Sequence, residues 1–219
     1  MSAPAWLVAV LAALAEGDDP ATAAHWRQRV DVALDRLAGR VPLRVAYDAT
    51  ARVLGSTPGG DAGRLVGDLL RRALAGDPAG VDQWRDALRP ALRELYRAAY
   101  PYAEAHSVAY ANAHAYATAN GYAPDEVVTF AEQYADLSAG AAAEAFADAN
   151  ALANADALAA ALALTDAAAF TRAYPAALVR AYTLAVANRA DVAAAPDVRR
   201  AAYGRLVGAL TESLRAVSD

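Results

Sequence analysis

Two histidines, three tyrosines and an asparagine lie within one short segment in the middle of the chain. His106, Tyr110 and His114 follow one another at intervals of four residues, which would place them on one side of a helix. The candidate ligand-binding set is completed by three flanking residues of the same segment: Tyr102, Asn112 and Tyr116. Imidazole, phenol and amide groups on adjacent turns could line a polar pocket for a small molecule.

The same histidines are poor candidates for a metal site. His106 and His114 are two helical turns apart, which is about 12 Å along a helix axis and too far for one ion. The Glu-x-x-His motif of di-iron bundles does not occur in the chain. The alternative is that both histidines have structural roles, and that the tyrosines are simply the large core residues among many alanines. We therefore expect no metal ion here.

Residue types that are absent exclude several other chemistries. The chain has no cysteine and no lysine, so it has no thiolate nucleophile, no Cys-ligated zinc, no Walker-A lysine and no Schiff base. A Gly-x-Ser-x-Gly motif is also absent. We predict no catalytic residue and no bound cofactor.

Charge is divided unevenly along the chain, whose net charge is −5. Residues 1–97 carry a net charge of +1, residues 98–171 have nine acids and no arginine, and residues 172–219 carry +3. An acidic middle without a neighbouring basic stripe speaks against a nucleic-acid partner. The apolar stretch from residue 3 to residue 15 is too short to span a bilayer and has no basic segment before it. We expect a cytoplasmic protein with no membrane partner.

Proline, glycine and capping residues divide the chain into short helices. Asp19 followed by Pro20 predicts a helix start, and Pro124 followed by two acids predicts another. Gly39 should end the second helix, the segment 55–60 should be a loop, and Ser138 should interrupt the middle of the chain. No stretch has the composition of a convincing strand. The expected fold is therefore all-α, a bundle of about eight to ten helices in a single domain over residues 1–219, with amphipathic helices in 1–98 and Ala/Tyr-rich helices in 99–219.

An internal similarity distinguishes the second part of the chain. Residues 109–123 and 145–159 align at an offset of 36, with seven alanines coinciding and Tyr110 matched to Phe146. A period near 36 residues is typical of helical-hairpin repeats, so we predict a repeat-like C-terminal half. Composition bias in an alanine-rich chain is the alternative explanation. The alanines, including the matched pair Ala113 and Ala149, should mark close helix crossings, and the helix over 109–123 should be surrounded by neighbours.

Two interpretations of function follow. The first is a non-enzymatic helical interaction or scaffolding module that binds protein, including a second copy of itself, because a repeat is present and no catalytic constellation is. The second is a small-molecule-binding helical protein or enzyme that uses the pocket of tyrosine, histidine and asparagine side chains. A closed cavity at that cluster would favour the second interpretation, and a solid core would favour the first.

Overall fold

The structure, a computed structural model, describes residues 3–38, 40–57 and 62–218. Those residues form ten helices and no strand, which confirms the all-α prediction. The helices are α1 (Ala5–Ala15), α2 (Pro20–Arg36), α3 (Leu43–Gly55), α4 (Ala62–Leu74), α5 (Val81–Ala99), α6 (Tyr102–Ala119), α7 (Pro124–Ala163), α8 (Ala167–Arg172), α9 (Pro175–Ala187) and α10 (Ala195–Ser218). In this part of the chain, no helix is both long and apolar enough to cross a membrane.

Local sequence signals account for most helix starts. The Asp19 carboxylate accepts hydrogen bonds from the backbone N–H groups of Ala21 and Thr22, and Pro20 occupies the first helical position of α2. α7 starts at Pro124, as predicted. The predicted stop at Gly39 and the end of the 55–60 loop lie outside the described residues.

The predicted interruption at Ser138 is wrong, because α7 is one helix of 40 residues that continues through this position. A serine inside an alanine-rich helix costs little helix propensity and cannot end the helix without a breaker beside it. Proline behaves in two ways nearby. Pro90 is accommodated inside α5, whereas Pro101 separates α5 from α6, and the Asn188 amide donates to the carbonyls of Ala98 and Tyr100 at that break.

Most helices pack around one apolar core. We call the core and the helices around it the body. Its largest wholly buried side chains include two tryptophans, Trp6 and Trp84, with Phe170 in edge contact with Trp6. α1 packs on α9 and α8, α10 packs on α9, α3 and α2, and α5 packs on α7, α9 and α4. The core takes residues of α7 only from Ala147 onward.

The remaining part of α7 and all of α6 form a separate antiparallel pair. α6 packs extensively on α7 and on no other helix to a comparable extent. Its buried residues, Ala109, Ala113 and Ala117, do not belong to the body core. We call residues 102–143 the arm. It projects from the body because α6, which is about 27 Å long, packs appreciably only on α7. The arm turns at residues 120–123.

A row of alanines at every fourth position joins α7 to its two main neighbours, α5 and α6. The buried residues of this row, which we call the alanine seam, are Ala131, Ala135, Ala139, Ala143, Ala147, Ala151, Ala155 and Ala159. Four residues advance the direction of a side chain by about 40° around a helix. The seam therefore turns by about 160° between Ala135, in the half that packs on α6, and Ala151, in the half that packs on α5.

Arginines of α5 pair with acids of α7 along the body half of this contact. Arg85 Nε lies 2.6 Å from Asp156 Oδ1, Arg93 Nε lies 2.6 Å from Asp148 Oδ1, and Arg97 Nε lies 2.7 Å from Glu144 Oε1. These pairs explain part of the uneven charge in the sequence, because acids of the central region meet bases of the preceding region. Their order along the two helices shows that α5 runs antiparallel to α7.

Two expectations for the alanine-rich segments fail. The helix predicted over 109–123 ends at Ala119 and is not surrounded by neighbours, because its three buried alanines form a face wide enough for one partner helix and the tyrosines lie outside that face. Ala113 is buried as predicted, but its match Ala149 is exposed. The 36-residue period is not confirmed, since an offset of 36 places the buried alanines of α6 on exposed residues of α7.

Candidate functional site

The arm has two flanks, on either side of the alanine contact between its helices. Ala113 faces α7, and Tyr110 and Tyr116 lie three residues before and after it, about 60° to either side on a helix. We call the side with His106 and Tyr110 the histidine flank. The side with Tyr116 is the aromatic flank.

The histidine flank contains a small polar cluster near the base of the arm. His106 Nε2 lies 3.2 Å from Asp136 Oδ1 and 4.0 Å from Glu132 Oε2. The Tyr102 hydroxyl donates to Asp136 at 3.2 Å, and the Tyr102 and His106 rings are 6.0 Å apart. Loss of hydration raises the pKa of Tyr102, and the hydrogen bond to Asp136 and its charge add to the shift. These contacts tie α6 to α7.

Tyr110 and His114 continue the histidine flank toward the tip. Their rings are 5.8 Å apart, and His114 is exposed. No group of three or more histidine or acidic side chains within the described residues could hold a metal ion. The sequence spacing thus produces two ring pairs along α6 rather than one convergent centre.

The aromatic flank carries four rings in contact. The Phe130 ring lies 6.1 Å from Tyr116, 5.6 Å from Tyr122 in an edge arrangement, and 6.2 Å from Tyr134 in a stacked one. Phe130 is half-buried, while Tyr116, Tyr122 and Tyr134 are 57%, 41% and 50% exposed. We call these four residues the aromatic cluster. Ring centroids at such distances attract one another, so the cluster holds its shape while presenting apolar surface to solvent.

Two open grooves border the aromatic cluster. The larger, of about 460 Å³, lies at the tip and is lined by Tyr122, Asp125, Glu126, Thr129, Phe130 and Gln133. The other, of about 280 Å³, is lined by Asn112, Ala113, Tyr116, Phe130 and Tyr134. Both are surface features. The cluster therefore forms neither a closed cavity, which would favour small-molecule binding, nor a solid core, which would favour protein binding.

The six candidate ligand residues all lie on α6, but the structure separates them. Tyr102, His106, Tyr110 and His114 belong to the histidine flank, whereas Asn112 and Tyr116 line a groove of the aromatic flank. Sequence reasoning missed Phe130 and Tyr134, which come from α7. Their i, i+4 spacing after the helix start at Pro124 was an available signal.

The arm is strongly acidic. Residues 102–143 contain five acids and no arginine: Glu104, Asp125, Glu126, Glu132 and Asp136. Glu126 also accepts a hydrogen bond from the backbone N–H of Ala123 at 3.0 Å, which is the half of a capping box that an alanine N-cap allows. Negative charge therefore lies along the arm, and Asp125 and Glu126 are the acids that share a groove with the exposed rings.

The body offers fewer features of this kind. Two grooves of the body, of about 380 and 270 Å³, are lined by arginines and aliphatic side chains together with Gln28, Asp48 and Ser213, and neither is lined by an aromatic ring. An apolar space of about 30 Å³ near Val10 is too small for a ligand. The aromatic flank is thus the main candidate surface. Comparison of the chain with protein-family models, curated proteins and solved structures finds no match.

Proposed function

We propose that this chain is a non-enzymatic helical interaction module that binds another protein through the aromatic flank of its arm. The observation that supports it is a projecting helix pair that contributes nothing to the body core yet presents a contiguous group of exposed rings. Aromatic side chains are enriched at protein interfaces and in binding hot spots. Exposed apolar groups on a projecting element cost solubility without stabilising the body, so contact with a partner is the simplest use for them.

The arm is suited to this role by its rigidity. The alanine seam brings α6 and α7 into close contact, and α7 continues without a break from the arm into the body core. A partner bound to the aromatic cluster would therefore be held at a fixed orientation to the body. We place the protein in the cytoplasm as part of the same proposal.

A second candidate function is small-molecule binding in the groove beside Asn112 and Tyr116. This groove combines an amide with three rings, which is suitable chemistry for a planar polar ligand. Its open form favours the protein-binding proposal, because small-molecule sites bury most of their ligand. A ligand of this groove should raise the melting temperature of the wild type and lose that effect with Asn112→Ala.

The test of the main proposal uses two tyrosines of similar exposure. Tyr116→Ser removes a ring of the aromatic cluster, and Tyr174→Ser is the matched control, since Tyr174 is 71% exposed on the body. Proteins retained by the immobilised wild-type chain in a lysate of the source organism are identified, purified and titrated against all three forms. We expect one partner whose affinity falls by about tenfold or more with Tyr116→Ser, as at a binding hot spot, and is unchanged with Tyr174→Ser.

Sedimentation of the purified chain at rising concentration tests whether the partner is a second copy. A dimer that Tyr116→Ser dissociates would make the module self-associating. The proposed role of the arm would be contradicted if Tyr116→Ser bound every recovered partner as tightly as Tyr174→Ser does.

A further inference from the structure

The charge of the arm restricts what its aromatic flank can bind. Five acids and no arginine lie in residues 102–143, so two arms placed side by side would repel each other. A basic surface would instead be attracted and oriented by the same field. This step rests on the proposed function and specifies the chemistry of the partner.

The tip groove adds a more specific feature, because rings and carboxylates line it together. Tyr122 and Phe130, whose ring centroids are 5.6 Å apart, share the groove with Asp125 and Glu126. An aromatic face attracts a cation, and adjacent carboxylates pair with it. The start of α7 contributes only about half a positive charge, so two carboxylates outweigh it.

Arginine fits this combination better than lysine does. Its guanidinium is planar and can stack on a ring while its N–H groups donate to carboxylates, whereas the lysine ammonium is compact and more strongly hydrated. We infer that the aromatic flank binds an arginine-bearing segment of a partner protein, with one guanidinium in the tip groove against Tyr122 and the carboxylates of Asp125 and Glu126. The aromatic cluster beyond the groove receives the apolar side chains of that segment.

Blocked hexapeptides of arginine, lysine and glutamate are the probes. Their binding to the full chain is followed by fluorescence anisotropy at physiological ionic strength, where attraction between distant exposed charges is screened. Asp125→Asn with Glu126→Gln removes two charges from the groove, and the glutamine oxygen can still accept the hydrogen bond from the Ala123 backbone N–H. Glu104→Gln with Glu212→Gln is the matched control, which removes two exposed charges elsewhere.

We expect the arginine peptide to bind more tightly than the lysine peptide and the glutamate peptide not to bind. The groove variant should weaken arginine binding by about tenfold, and the control by less than about twofold. Tyr122→Leu should remove about two- to fivefold of affinity for arginine and less for lysine, as expected for a cation–π contact at an exposed site.

Equal binding of arginine and lysine with no effect of Tyr122→Leu would overturn the inference, because it would show bulk attraction alone. An equal loss in the control variant, or no binding of any peptide, would overturn it as well. None of these three results bears on the proposed function, which depends on the Tyr116→Ser titration. Loss of that dependence, with arginine binding intact, would reject the proposed function and leave an isolated guanidinium site.

Discussion

Replacing Ala135 by leucine tests the alanine seam where it holds the arm together. Ala135 is 0% exposed and lies on the half of α7 that packs on α6. Extra methylene groups in a well-packed contact cost about 1–3 kcal/mol. Because the arm contributes nothing to the body core, the cost should fall on local opening of the arm rather than on global unfolding.

Hydrogen exchange measures local opening directly. A loss of about 1–3 kcal/mol should accelerate exchange of amides in α6 and the first half of α7 by about five- to 150-fold. The melting temperature of the body should change little. The same substitution at Ala151, which is 1% exposed and lies on the half of α7 that packs on α5, should lower the melting temperature by about 2–12 °C.

The matched control is Ala149→Leu, on the same helix but exposed. It should alter stability by less than about 0.5 kcal/mol and leave arm exchange unchanged. The reasoning would be refuted if Ala135→Leu lowered the melting temperature as much as Ala151→Leu does, since the arm would then unfold with the body. Unchanged exchange in the Ala135 variant would equally refute close packing along the seam.

Three further substitutions test individual contacts. Tyr47→Phe removes the buried hydrogen bond of 2.6 Å to the Leu162 carbonyl and should cost about 0.5–1.5 kcal/mol in urea unfolding, with no loss if water replaces the hydroxyl. Thr165 is a β-branched residue at a φ of 50°, where glycine is less strained. Thr165→Gly should therefore stabilise the protein by up to about 1 kcal/mol in thermal melts. The hydrogen bond from Arg180 lowers the pKa of Glu16 from its ordinary 4.5. The pair therefore stabilises the fold fully above pH 4.5, and this contribution is lost as the pH falls through the lowered pKa of Glu16 in the folded protein. Glu16→Gln should therefore lose less stability than wild type between pH 5 and pH 3, and parallel pH profiles would contradict the pairing.

Much of the fold could be predicted because helix signals are local. Asp19 with Pro20 and Pro124 with its acids act within one turn, so the residues that mark a start are adjacent in the sequence. Ser138 misled because its preference for turns is weak against a long alanine-rich background. Local rules could not show that α7 serves two different neighbours along its length, since that depends on where α5 and α6 pack.

The candidate site was only half visible for the same reason. The i, i+4 spacing correctly placed His106, Tyr110 and His114 along one flank of a helix. The aromatic cluster instead joins Tyr116 of α6 to Phe130 of α7 across the turn of the arm. A pairing between helices depends on their register, and no single-helix pattern encodes it.

Alanine explains both the unconfirmed 36-residue similarity and the packing of α7. Alanine occupies every second position over residues 109–119 and 145–155, so even offsets such as 36 can bring alanines into coincidence without a duplication. The buried alanines recur only every four residues in each helix of the arm. The two rows are nevertheless out of step at an offset of 36, which matches buried Ala113 with exposed Ala149. What the spacing encodes is close approach along a row that turns around α7. That turn allows one continuous helix to pack on α5 in the body and on α6 in the arm, and so to connect the aromatic cluster to the core.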